Sequence, residues 1–304
     1  MTRPLPMVLL LVAALLSVPI AGPTAQQPAA QADFVEIDLV VVDAKGRSIH
    51  GLRKEDFSVK DSGKTIEVET FSEVTGPNPD DPDSARTVVM LLDDTGIPAT
   101  GTQAIQLVAR ALLARAAPID EVAVVRLHRR EDEPFGDRIA SNARIQDYRG
   151  GSSPYASWST IREVLERIAE ISRLISSNTA KRKIIACIGS PLICDIPEPT
   201  YSAPRQFERA WLGAAAEAAL ANVAVYSLIP GAVPLRAAAV AEATGGEVLN
   251  STYDMGPPID RLLQDASNYY VLGYWPADDS AAPHRVDVKV RAAKGAKVHA
   301  RRLR

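Results

Sequence analysis

The sequence predicts an α/β protein: a doubly wound, mostly parallel sheet set between two β-rich segments. Three observations carry that expectation. From Arg86 onward, short apolar runs alternate with stretches of helical period, the pattern of a parallel sheet covered on both faces. On either side, in residues 34–75 and 269–304, apolar residues recur at a period of two. Between the first β segment and the alternating region lies Gly76–Ser84, GPNPDDPDS, whose prolines and acids mark a linker over residues 76–85.

The chain opens with Arg3 and the uncharged apolar run Val8–Val18, followed by small residues at Ala21 and Ala25. That order is expected of a secretory signal peptide over residues 1–25, and the run is short for a membrane span. A Gln/Pro/Ala-rich spacer fills residues 26–33. The expected location is therefore secreted or periplasmic, with an uncleaved membrane anchor as the alternative. No later stretch reaches spanning length, so no transmembrane segment is expected in the mature chain.

In the first β segment Val35, Ile37, Leu39 and Val41 alternate, and DAKGR at Asp43–Arg47 offers a turn. Phe57–Lys60 and Ile66–Phe71 form a second pair across the turn Asp61–Lys64. In the central region, residues 86–268, six strands are expected. Thr87–Leu92 leads into a helix with Ile105, Val108, Ala109, Leu112, Leu113 and Ala116 on one face. Glu121–Leu127 is the next strand. Thr160 and Glu163 have the spacing of a capping box, opening a helix with Ile161, Val164, Leu165, Ile168 and Ile175 inward. Lys183–Ile188 and Val223–Ile229 are strands separated by a helix carrying Phe207, Trp211, Ala215 and Ala218. Leu235–Ala243 reads as a short helix stopped by Gly245–Gly246, with Glu247–Leu249 behind it. Ile259, Leu262, Leu263 and Ala266 close the series. The proline-rich loop Gly189–Ala203 is the largest irregular stretch.

The tail returns to strands at Tyr269–Trp275, Arg285–Arg291 and Ala296–Arg302, the last two joined by a Lys294–Gly295 turn. Neither β segment is long enough to be stable alone, so the two are expected to pack as one small β-sandwich into which the α/β region is inserted. The C-terminal cations, Arg301 among them, are expected on the wet face of that unit. Tyr269, Tyr270, Tyr274 and Trp275 are expected to pack between layers.

Composition excludes several functions. The net charge is −3 and aromatics make up 5% of the chain, which gives neither the electrostatic footprint nor the stacking platforms of a nucleic-acid binder. No Walker A loop or G-x-G-x-x-G fingerprint occurs. His50, His128, His284 and His299 fall in separate elements and are expected in surface strands or loops. The only cysteines are Cys187 and Cys194. Export would permit a disulfide, but Cys187 falls in an apolar run, where a small buried hydrophobe is the favoured reading.

The stretch most informative about function is RTVVMLLDDTGI, Arg86–Ile97. A buried parallel strand empties there into Asp93, Asp94 and Thr95, at the sheet edge where open α/β folds bind ligands. Carboxylate and hydroxyl oxygens suit a hard divalent cation. Three blocks, LVVVDAKGRSIHGLRKEDFSVKDSGKTIEVETFSEV (Leu39–Val74), RTVVMLLDDT with its following helix, and AEATGGEVL with SNYYVLGYWP and HRVDVKVR, carry a resemblance. On them the chain resembles the bacterial family of VWFA-related Acidobacterial domain proteins, von Willebrand factor A-type (VWA) domains flanked by β segments.

The resemblance implies a VWA fold and a D-x-S-x-S metal site, completed by a distant threonine and a distant aspartate. Asp93 matches the leading aspartate and Thr95 replaces the first serine. Ile97 stands at the second serine and offers no side-chain oxygen. Ser152, or less favourably Ser159, stands in for the distant threonine. The distant aspartate falls where the chain reads Gly189–Pro191, and Asp195 comes later in the loop. Asp93, Thr95 and Ser152 are thus the candidate ligands of a degenerate site for Mg²⁺ or Mn²⁺.

With that ligand set incomplete, the expected function is non-catalytic binding or scaffolding of a protein partner outside the cytoplasm, with no cofactor. Metal-dependent adhesion through the residual site is the alternative. A hydrolase using Ser190 or the Asp93–Asp94 pair is the third, since Pro191 and Leu192 break the G-x-S-x-G elbow. Sequencing the N-terminus of chain recovered from envelope or medium is expected to find it starting after Ala21 or Ala25. An intact Met1 chain in the cytosol would overturn the export reading.

Overall fold

The computed structural model of the chain describes residues 34–81, 84–128, 137–151, 158–178, 180, 182–231, 239–276, 285–293 and 295–302. The expected leader and spacer, Ser152, His284 and Lys294 lie outside them. The described architecture is mixed α/β, with a five-stranded parallel sheet and two separate antiparallel sheets.

The parallel sheet contains β5 (Arg86–Leu92), β6 (Glu121–Arg126), β7 (Arg182–Ile188), β8 (Val223–Pro230) and β9 (Val248–Ser251), in the order β6-β5-β7-β8-β9. Every residue of β5 and β7 is buried. Alternate side chains serve opposite layers, which is why these strands read as unbroken apolar runs. Val89, Leu91, Ile185, Cys187 and Val225 share one core with α3 (Trp158–Leu174) and α5 (Arg205–Leu220). Val88, Met90, Leu92, Ile184 and Tyr226 share another with α1 (Thr102–Arg115) and α7 (Gly256–Ser267). The expected apolar faces of these helices are the buried ones.

The antiparallel strands are β1 (Val35–Val42), β2 (Phe57–Asp61), β3 (Lys64–Ile66), β4 (Thr70–Thr75), β10 (Asn268–Tyr274), β11 (Val286–Val290) and β12 (Lys297–Ala300). They form a sheet in the order β12-β1-β10-β4 and another in the order β11-β2-β3. Strands from before and after the α/β region pair directly, Val35 with Tyr274 and Val286 with Asp61 marking the registers. One apolar core draws on both sheets: Ile37, Leu39, Tyr270 and Leu272 from one, Phe57, Val59 and Val286 from the other.

Several expectations need correction. Among the described residues the parallel sheet has five strands, not six; between β6 and β7 the described chain is helical, in α3 and in α2 (Arg138–Gln146). That helix has a weak apolar stripe, with only Ser141 and Ile145 buried, so its clearest sequence signal is its N-cap: Asp137 accepts from the Ile139 and Ala140 N–H groups, each at 2.9 Å. The helix read as opening at Thr160 begins at Trp158, leaving Thr160 inside it. The single strand read at Ile66–Phe71 is broken, because β3 pairs with β2 while β4 pairs with β10. The chain changes sheets there, and buried Val68 packs in the shared core.

The loop Gly189–Ala203 contains the one-turn helix α4 (Pro191–Cys194), with proline at its start. That turn carries Cys194 back to β7. The Cys187–Cys194 Cα atoms are 5.7 Å apart and the two residues form a disulfide, which corrects the favoured reading of Cys187 as only a small buried hydrophobe. A strand's apolar pattern discloses that a cysteine is buried but not that a helical turn returns its partner. Arg301, expected on the wet face, is 8% exposed. It donates to the carbonyls of Ala219 and Glu36, supplying buried acceptors that apolar neighbours could not satisfy.

The junction between β1 and the parallel sheet is ionic. Asp38 Oδ2 lies 3.2 Å from Arg182 Nη1 at the start of β7, with side chains 5% and 4% exposed. Asn222 Nδ2 donates to the same oxygen at 2.9 Å from the turn before β8, where Asn222 adopts φ +53°. The Arg182 guanidinium stands 5.0 Å from the Tyr269 ring centroid, on β10. Removing one member of a buried pair strands the other charge. Asp38→Ala is expected to lower unfolding free energy by about 3 kcal/mol in guanidinium titrations. The double replacement Asp38→Leu/Arg182→Met is expected to recover most of it, and a neutral single variant would sink this account.

Candidate functional site

β5 is covered on both faces, so its register fixes where the next residue emerges. Asp93 follows directly and is 1% exposed. A carboxylate so deeply buried needs donors, and it has them. Its Oδ1 accepts from Thr95 N at 3.0 Å, Thr95 Oγ1 at 3.1 Å and Gly96 N at 2.6 Å. Its Oδ2 accepts from Ser190 N at 3.0 Å, from the turn after β7. The Asp93 N–H in turn donates to the Ile188 carbonyl at 3.0 Å. One side chain therefore shapes its own turn and ties it to the neighbouring one.

A third loop joins from α2. The Tyr148 hydroxyl donates to the Asp93 carbonyl, and Gly151 N donates to the Asp94 carbonyl at 2.9 Å. Burial, with the nearby Asp93 and Asp94 charges adding to it, pushes the Tyr148 phenol well above its ordinary value. The group stays a protonated donor. Asp94 Oδ1 accepts from His128 N at 3.1 Å, so the turn after β6 is held as well. Such contact leaves no room for side chains at two crossings. A Cβ on Gly189 would overlap Asp93, and one on Gly150 would stand 2.6 Å from the Ile97 carbonyl oxygen.

Of the candidate ligands, Asp93 and Thr95 are together, joined by hydrogen bonds, while Ser152 lies outside the described residues. Ser159 is exposed on α3. Asp195 is 1% exposed at the end of α4. Ile97 packs its side chain against the apolar core. A cation at Asp93 would compete with the four protein donors already directed at its carboxylate. Ser190 Oγ is buried and has no hydrogen-bond partner among the described residues, so no histidine there is bonded to it as a base.

Beside this rim runs a groove of about 520 Å³ lined by Thr100, Gln103, Gln106, Leu107, Arg110 and Arg149. Gln106 Nε2 donates to the carbonyls of Gln146 and Tyr148 at 3.0 and 3.2 Å, joining the groove to the Tyr148 loop. Leu107 is 57% exposed within it. The sequence reading missed Tyr148 and the packing role of Gly150 and Gly189. Their signal is the glycines of RGG and GSP in turns next to the apolar runs, which mark close backbone approach as well as candidate oxygen ligands.

No protein-family model matches the chain. No curated protein matches it either. Among solved structures it is similar to the TFIIH p34 N-terminal domain, at 14% identity over 60% of this chain and 99% of that one, with a TM-score of 0.32. It is also similar to the human COPII-coat protein Sec24c, at 9% identity over 77% of this chain and 46% of that one, with a TM-score of 0.37. Against a D319A mutant of the PilB minor pilin from Streptococcus sanguinis the identity is 10%, covering 60% of this chain and 62% of that one, with a TM-score of 0.37. No helix among the described residues is long and apolar enough to cross a membrane.

Asp93→Ala removes an acceptor from buried N–H groups in two loops at once. It is expected to cost about 3 kcal/mol of unfolding free energy in urea titrations. Asp93→Asn is expected to cost less, since one amide oxygen still accepts while its NH₂ faces a donor. A loss under about 1 kcal/mol for the alanine variant would show that these bonds are not what holds the rim.

Proposed function

We propose that the chain is a non-catalytic, extracytoplasmic protein-binding domain of VWA type, whose flanking β segments form one small β-sandwich. The observation that carries this reading is the employment of the Asp93 carboxylate. Four protein donors hold it, so the residue works as a staple for the loops at the sheet edge rather than as an open ligand. A rigid rim beside a groove that mixes amides, cations and an exposed leucine has the composition of a protein-binding surface. The Cys187–Cys194 bridge supports the extracytoplasmic part, because disulfides persist in oxidising compartments. The apolar core shared by the β1 and β2 sheets supports the sandwich.

The alternative is adhesion through a divalent ion at Asp93, Thr95 and Ser152, which requires the Asp93 donors to yield. A photo-crosslinker at Gln103, with a control at Lys64, separates the two. The expected result is a discrete crosslinked protein at Gln103 only, unchanged by EDTA and lost in Arg110→Glu/Arg149→Glu. Crosslinking abolished by EDTA and restored by Mg²⁺ would overturn the metal-independent reading in favour of adhesion.

A further inference from the structure

Away from Asp93, where β9 begins, three side chains from distant parts of the sequence converge. Glu247 immediately precedes β9, Asp265 lies in the last turn of α7, and His299 is on β12. One ligand atom from each lies within 4.8 Å of the others. The Asp265 side chain is 0% exposed. Neither of its oxygens receives a hydrogen bond among the described residues, and neither does Glu247 Oε2. Buried carboxylate oxygens without donors are costly, and they demand a cation.

The cation present is Arg261, one turn before Asp265. Its Nε stands 2.9 Å from Asp265 Oδ1 and its Nη2 3.4 Å from Glu247 Oε2. Among the described residues the Nε makes no hydrogen bond, so the first contact is an ion pair. Arg261 also donates through Nη1 to the Gly46 carbonyl, and its side chain is 17% exposed. One guanidinium faces two carboxylates, which leaves the cluster negative. Burial, helped by the Glu247 charge, pushes the Asp265 carboxyl up to about 6 despite Arg261 and Arg182. An imidazole nitrogen can offer its lone pair to a metal ion.

We propose that Glu247, Asp265 and His299 form a binding site for a divalent transition ion, with Zn²⁺ the ion that fits best. One imidazole nitrogen with two carboxylate oxygens suits Zn²⁺, whereas Mg²⁺ and Ca²⁺ take all-oxygen shells. Zn–N and Zn–O bonds of about 2.0–2.2 Å put tetrahedral ligand atoms roughly 3.4 Å apart. The three atoms therefore close inward while the guanidinium swings toward solvent, and water takes the fourth position. The ion joins β12 of the C-terminal segment to α7 and to the start of β9, replacing one positive charge with two. This site shares no residue with the Asp93 rim and stands whether or not that rim binds a partner.

The test is calorimetric titration of ZnCl₂ into the EDTA-stripped, dialysed full chain at neutral pH without reductant, which keeps the cysteines bridged. The expected result is one Zn²⁺ per chain at micromolar affinity. His299→Ala is expected to weaken it at least tenfold, Arg261→Gln to strengthen it about tenfold by removing the competing guanidinium, and Asp93→Ala to leave it unchanged. Absence of binding in the natural chain overturns the proposal, as does binding that His299→Ala leaves intact. Binding confined to Arg261→Gln also overturns it, since the guanidinium would then be the permanent cation of the cluster.

Discussion

The antiparallel strands and the parallel sheet are held to each other at Asp38. Its carboxylate on β1 accepts from Arg182 at the start of β7 and from Asn222 before β8, while Arg182 lies over Tyr269 of β10. The cost of burying these charges is offset only if every partner is in place, which makes the junction unforgiving of register error. A one-residue slip in β1 would turn Asp38 into the apolar core and set Ile37 or Leu39 against the buried Arg182 guanidinium. Arg301 adds a second tie, reaching the Glu36 carbonyl on β1 and the Ala219 carbonyl on α5. A buried ionic joint is a poor source of net stability but a strict selector of geometry, and it sets how the flanking strands meet the sheet.

Asp93 does a comparable job beyond the other end of β5. There the ties are mostly backbone N–H groups, so the carboxylate fixes loop shape without a buried partner charge. The two acids thus divide the work: one sets the relation between sheets, the other sets the form of the loops that a partner would meet. In the reading proposed above, the Asp93 carboxylate serves the loops that depend on it.

How much of this was legible depends on whether the signal was local. β5, β7 and β8 announced themselves as apolar runs, and α1, α5 and α7 as single apolar faces, because burial on two faces or one is written directly into residue periodicity. Asp93 and Thr95 were legible as neighbours because only Asp94 stands between them. What was lost depends on distant partners. Nothing around Ser190 says that its N–H will meet Asp93, and nothing around His299 says that Glu247 and Asp265 will surround it. Arg301 was read as solvated because its strand alternates cations with apolar residues, and alternation cannot distinguish water from a buried carbonyl. The helix α2 escaped because its stripe is too thin for a period to register.

The disulfide bears on the same turn that Asp93 holds. Cys187 sits in β7 and Cys194 at the end of α4, so the bridge closes a short loop whose interior includes Ser190. Among the described residues, Ser190 N is the one donor to the Asp93 carboxylate that comes from outside its own turn. Closing that loop limits the conformations available to the turn before the Asp93 bond forms, and so lowers the entropy cost of forming it. The Ser227 hydroxyl, donating to the Cys194 carbonyl, anchors the same turn to β8. Cysteine spacing, the Gly189 contact and the Asp93 carboxylate therefore act on one segment. The rim is rigid because a covalent bond, a missing side chain and a buried acceptor all restrict the same few residues.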